Sequence, residues 1–144
     1  MMVKIIDATG LIVGRLATRV AKMAMSGEDV KIVNCEHAVL SGTQNQILGK
    51  WRERKHRTDA FKGPFISILP DRIVRRAIRG MLPHKNAKTE GSRGSQAFRR
   101  IMCYISVPDK LKNQKFETVR GAESDRLTSE FMTVGRLAQL LRTR

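Results

Sequence analysis

Apolar positions first gather at Val3–Ile6 and again at Val30-Lys31-Ile32-Val33, two short runs that predict strands. Between them Gly14–Met25 has the period of a helix. At about 100° per residue, Leu16, Ala17, Val20, Ala21, Met23 and Ala24 share one broad face, and Arg15, Thr18, Arg19 and Lys22 share the other. Strand, helix and strand within about 30 residues form a βαβ unit, which implies parallel strands and a right-handed crossover. Thr43, with Gln46 three residues on, has the form of a capping box opening a second helix towards Arg54. Ile47, Leu48 and Trp51 give that helix an apolar side. After Trp51 the side is lost, because Arg52, Arg54, Lys55, His56 and Arg57 point all round the axis. Such an end projects into solvent or is wrapped by a partner.

Pro70 and Asp71 make a good first turn for a third helix. Ile73, Val74, Ala77, Ile78 and Met81 span one side of it, while Arg72, Arg75, Arg76 and Arg79 fall within roughly a 100° arc opposite. Gly80 and Pro83 end it. A Gly/Ser/Lys loop, Asn86–Ser95, precedes a short helical piece around Gln96–Arg100, and Ile101–Ile105 reads as a further strand closed by Pro108. Asp109–Ser129 is polar and weakly patterned. Thr133 then caps a last amphipathic helix with Val134, Leu137, Ala138, Leu140 and Leu141 on one side. The pentapeptide Val13-Gly14-Arg15-Leu16-Ala17 recurs at Val134–Ala138, but nothing around the copies matches, so it reads as shared helix-start chemistry and not a repeat.

At 144 residues the chain fits one domain with a real core. Its longest stretch without a charged residue, His37–Gly49, is short and polar, so no membrane span is expected; nor does the N-terminus read as a signal peptide. Two distant cysteines, Cys35 and Cys103, build no disulfide framework, which points to a reducing compartment. The net charge of +15 is the unusual quantity. Residues 50–100 carry 15 Lys and Arg against 4 acids, so most of the excess lies in the middle third and the flanks resemble an ordinary domain. A polyanionic partner is implied there.

Catalytic chemistry finds little support. The turn Asp7–Gly14 has two glycines between strand and helix, but neither a G-x-G-x-x-G pattern nor a Gly-Lys-Ser/Thr ending for phosphates. Close strand–helix packing explains its glycines as well. No C-x-x-C or H-x-x-x-H spacing suggests a metal, and no thiol, hydroxyl or carboxylate pair stands beside an oriented base. The two cysteines read as small hydrophobes. No metal, cofactor or small-molecule substrate is therefore expected.

The arginine face on the third helix is the strongest signal. A solvated face mixes signs at i,i+4, whereas this one has four arginines and a single acid, Asp71, at its start. Arginine suits bidentate phosphate contact. An interfacial membrane helix would carry bulky apolar flanks, and here the apolar side is of core type, so nucleic acid is favoured. Basic residues dispersed over a helix end, a second helix and a loop suit an irregular folded RNA better than one groove of a DNA duplex. With only seven aromatics, mostly in apolar settings, recognition is expected to be of backbone and shape, not base sequence. So many like charges also predict that 50–57 and 86–95 order fully only against a polyanion.

The segment Val74-Arg75-Arg76-Ala77-Ile78-Arg79-Gly80-Met81-Leu82-Pro83-His84-Lys85 closely resembles the R-G-M-L-P-x-K signature of the universal large-subunit ribosomal protein L thirteen family. Asp7-Ala8 with Gly14–Thr18 looks like that family's opening. Val33–Glu36, Lys50-Trp51, Gly63-Pro64, Arg93-Gly94 with Ala97, and Tyr104 with Pro108 follow in its order. The resemblance covers about residues 3–108, and the wording around Met81–Lys85 is most similar to the archaeal branch, close to its eukaryotic relatives. The loop Asn86–Ser92 is longer than the family's usual link.

The resemblance implies a three-layer α/β/α fold with a mostly parallel central sheet, Rossmann-like in topology, from which a basic helix end and a loop project. It implies a single unit over 1–144, with the core in about 1–108 and a tail and helix in 109–144. It further implies no catalysis, a cytoplasmic place on the large ribosomal subunit bound to its rRNA and to neighbouring ribosomal proteins, and a part in assembly and translation. The residues expected to meet RNA are Lys50, Arg52, Arg54, Lys55, His56 and Arg57 on one segment, Arg72, Arg75, Arg76 and Arg79 on the next, and His84, Lys85, Lys88 and Arg93 around the loop. The rivals are a small nucleotide-binding α/β enzyme using the Gly10–Gly14 turn, and a regulator of messenger RNA outside the ribosome.

Overall fold

The computed structural model describes residues 3–59, 61–83 and 91–143, with the side chain of Arg126 left aside. His84, Lys85 and Lys88 lie outside the described residues. Strand β1 (Val3–Asp7), helix α1 (Val13–Met25) and strand β2 (Asp29–Val33) form the expected βαβ unit. β1 and β2 pair in parallel with Ile6 opposite Ile32. β2 pairs in parallel with β4 (Ile101–Cys103), Ile32 opposite Cys103, giving the sheet order β1-β2-β4. Strand β4 is shorter than the apolar run predicts. Tyr104 still exchanges backbone hydrogen bonds with Ile32 and Cys35, and Ser106, at φ +101°, then turns the chain away.

Alternation along the strands gives the sheet two faces. One face, with Ile6, Val30, Ile32 and Ile101, is covered by α1, α3 (Pro70–Met81) and α4 (Arg93–Arg99) in one continuous core. The apolar stripe of α1 is wholly buried at Leu16, Ala17, Val20 and Ala24, and each fully buried Leu or Val contributes about 1.5–3 kcal/mol. The second face carries Ile5 and Val33 and is covered by Leu111, Tyr104 and Val107 from the tail. The mixed α/β class, the mostly parallel sheet and layers on both faces agree with the sequence reading.

The tail is more ordered than its weak pattern suggests. Glu117 donates to Ile5 and accepts from Asp7, covering the free edge of β1, and Ala122 accepts from Ile12. Two strands went unpredicted, β3 (Val39–Ser41) and β5 (Phe131–Thr133), which pair antiparallel with Val39 opposite Thr133. The repeated pentapeptide gains a structural meaning from them. Ile12 and Thr133 are the N-caps of α1 and α5 (Val134–Arg142), and both lie beside Val39, on its two sides. In both copies the Val, Leu and Ala are buried. Helix α2 (Gln44–His56) begins where expected, with Thr43 Oγ1 accepting from Gln46 N. It continues through His56, so the basic residues 50–56 belong to the helix. Helix α4 starts at Arg93, inside the expected loop, because Ser92 Oγ accepts from Ser95 N.

Candidate nucleic-acid interface

Helix α3 sets the geometry. Pro70 occupies its first turn, and Ile73, Val74 and Ile78 are buried against α1 and the sheet. Met81 departs from this: it is exposed, and its sulfur accepts from the Thr18 hydroxyl on α1. Burial of the apolar stripe turns Arg72, Arg75, Arg76 and Arg79 to one side. All four line a single cleft of about 660 Å³ with Pro64, Phe65, Ser67, Gly80 and Phe98.

Among the described residues one acid approaches these arginines, Asp71, whose carboxylate lies 4.0 Å from Arg72 Nε. Arg75, Arg76 and Arg79 have no acidic partner among the described residues. Arg75 sits over the Phe98 ring of α4 at 4.5 Å, and its Nε is buried without a hydrogen-bond acceptor among the described residues. The cleft is a cationic trough with an apolar floor. Arg93, exposed at the start of α4, belongs to the element that carries Phe98.

The basic half of α2 is more mixed than its sequence. Lys50, Arg52 and His56 are exposed. Arg54 lies over Trp51 at 5.4 Å, and Arg57 pairs with Glu53 one turn back. Lys55 is exposed as well, but its ammonium donates to the Leu141 carbonyl at 3.1 Å, in the last turn of α5. The helix end therefore rests on α5 along one side and presents cations on the other.

Two groups escaped the sequence reading. Arg15 and Arg19 of α1 share a shallow depression with Arg120 of the tail, and Arg15 donates to the Gly121 carbonyl. Arg15 and Arg19 were visible as a polar face, but only the fold brings Arg120 beside them. The second group is aromatic. Phe61 is 94% exposed and Phe65 75%, whereas the sequence reading put the aromatics mostly in apolar settings. The signal was Phe61-Lys62-Gly63-Pro64-Phe65, aromatics among turn residues between two basic helices.

The Gly10–Gly14 turn is occupied by its own fold. Gly10, Leu11 and Ile12 donate their backbone N–H groups to His37, Ala8 and Ala122, and Ser124 donates to Gly10. Asp7 organises the turn, accepting from the Thr9 amide at 3.0 Å, the Thr9 hydroxyl at 2.7 Å and the Asn34 amide at 3.0 Å. Burial raises its pKa, but these hydrogen bonds, with His37 nearby, outweigh burial and hold it below the usual carboxylate value. The Cys35 thiol is pushed far up by its hydrogen bond with Cys103 and by burial; both thiols are free. No group of His, Cys, Asp and Glu suited to a metal occurs among the described residues, and no described helix is long and apolar enough to cross a membrane.

Comparison with known proteins finds similarity over most of the chain. The family profile described as Ribosomal protein L13 matches residues 1–110. The chain is 41% identical over 138 residues to the large ribosomal subunit protein uL13 of Methanococcoides burtonii, covering 95% of this chain and 96% of that one. The protein of the same name from Methanosarcina barkeri is 42% identical, covering 94% of each chain. That from Thermoplasma acidophilum is 37% identical, covering 96% and 97%.

Proposed function

Because the chain belongs to the ribosomal protein L13 family, we propose that it is a structural constituent of the large ribosomal subunit. In this reading it binds large-subunit rRNA through phosphate and shape contacts and supports assembly of the subunit. The observation that carries the reading is the α3 face, where four arginines line one cleft and, among the described residues, a single carboxylate pairs with them. Closely packed rRNA phosphates repel one another, and a rigid array of guanidinium groups neutralises them at fixed spacing. Lys50, Arg52 and His56 on α2 and Arg93 on α4 extend the footprint; Arg54 and Arg57 join it from their positions beside Trp51 and Glu53. His84, Lys85 and Lys88 are assigned to the same footprint from the sequence alone.

Residues 1–144 act as one unit in this reading, since Leu137 of α5 shares a core with Leu16 of α1. The reading needs no catalytic step. A nucleotide-binding turn at Gly10–Gly14 is disfavoured because three of its N–H groups are already engaged. The test is the salt dependence of binding to large-subunit rRNA fragments. Affinity is expected to fall steeply, by about 0.7–0.9 in log K per log salt for each phosphate neutralised. Replacing Arg76 and Arg79 together by Gln should lower the slope by about two such steps. A nearly salt-independent affinity would overturn the proposal.

A further inference from the structure

Phosphate binding leaves the aromatic side of the cleft unexplained. Phe65 lies on the cleft rim, three-quarters exposed, where a large apolar ring gains nothing from water. It is also held in place. Asp59 and Gly63 exchange backbone hydrogen bonds at 3.3 and 3.1 Å, and Gly63 adopts φ +73°. A Cβ there would stand 3.0 Å from the Phe65 nitrogen and 3.2 Å from its ring. The ring is therefore folded back over a glycine that leaves it room. Across the cleft Arg75, stacked on Phe98, keeps a buried Nε donor without an acceptor among the described residues. The volume of about 660 Å³ lies within the roughly 300–1,000 Å³ of small-molecule sites.

We infer that this cleft receives an unstacked nucleobase of a single-stranded RNA segment, with Phe65 as its stacking platform. The arginines of α3 that line the cleft hold the flanking phosphates. A regular RNA duplex does not meet these requirements, because its bases are stacked inside the helix and its deep groove admits no side chain. Stacking on a ring is sequence-tolerant, since every base has a π-face. The inference rests on the RNA-binding reading above and refines it from backbone contact alone to backbone plus one base.

The experiment uses the full chain and two labelled probes of equal length and charge: a single-stranded oligoadenylate, and a ribose-phosphate oligomer lacking bases. The native chain is expected to bind the base-bearing probe more tightly. Phe65→Leu should lose about 5- to 150-fold on that probe, the range of one lost base–aromatic stack, with an unchanged melting temperature because the ring is exposed. On the abasic probe its affinity and salt slope should stay as in the native chain, and Phe65→Tyr should retain the native preference. Arg76→Gln should weaken both probes and reduce the slope. Equal loss on the two probes by Phe65→Leu, or no loss on either, overturns the stacking inference and leaves the phosphate reading standing. Absence of salt-dependent binding to either probe overturns both.

Discussion

Gly94 gives a stability prediction with an unusually clear geometric origin. It is the second residue of α4, and a Cβ built on it would lie 2.2 Å from the backbone oxygen of Pro83. Ordinary contacts begin near 3.4 Å, so Gly94→Ala requires a shift of about 1 Å between two backbone segments, neither of which can rotate away. Overpacking of this kind costs about 1–3 kcal/mol, here the upper end because the obstacle is a carbonyl. Alanine's better helix propensity returns up to about 1 kcal/mol, leaving a net loss of about 2 kcal/mol. For a chain of 144 residues, at about 2.1 cal/mol/K per residue of unfolding entropy, that is a fall of about 6–7 °C in Tm. Gly49→Ala is the matched control: Gly49 lies within α2 with nothing inside 4 Å of the added carbon. It should raise Tm by about 3 °C. Both are read by thermal denaturation followed by circular dichroism. A Gly94→Ala chain melting within about 2 °C of the native one would refute the close approach of α4 to Pro83.

Two further perturbations separate structural from functional charge. The folded-state pKa of Asp7 is depressed, so its contribution is present above the unfolded carboxylate value and is lost as pH falls through the folded one. In denaturant titrations Asp7→Asn should be less stable than the native chain at pH 7, the gap closing below about pH 4; a gap constant from pH 7 to pH 3 would contradict this. Lys55 donates to the last turn of α5, so Lys55→Ala should cost about 1 kcal/mol of stability and weaken RNA binding less than Arg52→Ala. The reverse order in filter binding would make Lys55 chiefly an RNA contact.

Long-period features were legible in the sequence, and short or non-local ones were not. The stripe of α1 and the opposed faces of α3 each span several turns, enough for the 3.6-residue period to show, and both are seated as the pattern predicts. Strands β3 and β5 have three residues each, too few for alternation to register, and they find each other across most of the chain's length. Lys55 was indistinguishable from its neighbours until α5 supplied a carbonyl. Phe65 was hidden within a general reading of the aromatics as mostly in apolar settings, and only the turn at Gly63 shows its ring facing outward. Gly94 reads as an ordinary loop residue because its reason, the backbone of Pro83, lies across an intervening segment.

The pairing of β5 with β3 also fixes when the molecule can become whole. Synthesis runs from the N-terminus, so Cys35, Ala38 and Val39 emerge long before the strand and helix that cover them. Val134 donates to the Ala38 carbonyl, Gly135 packs on the Glu36 backbone, and Leu137 and Leu141 complete the core last of all. A nascent chain halted before Phe131 has its whole arginine face and an unfinished interior. It carries its cations while Cys35, Ala38 and Val39 still lack the cover that β5 and α5 supply.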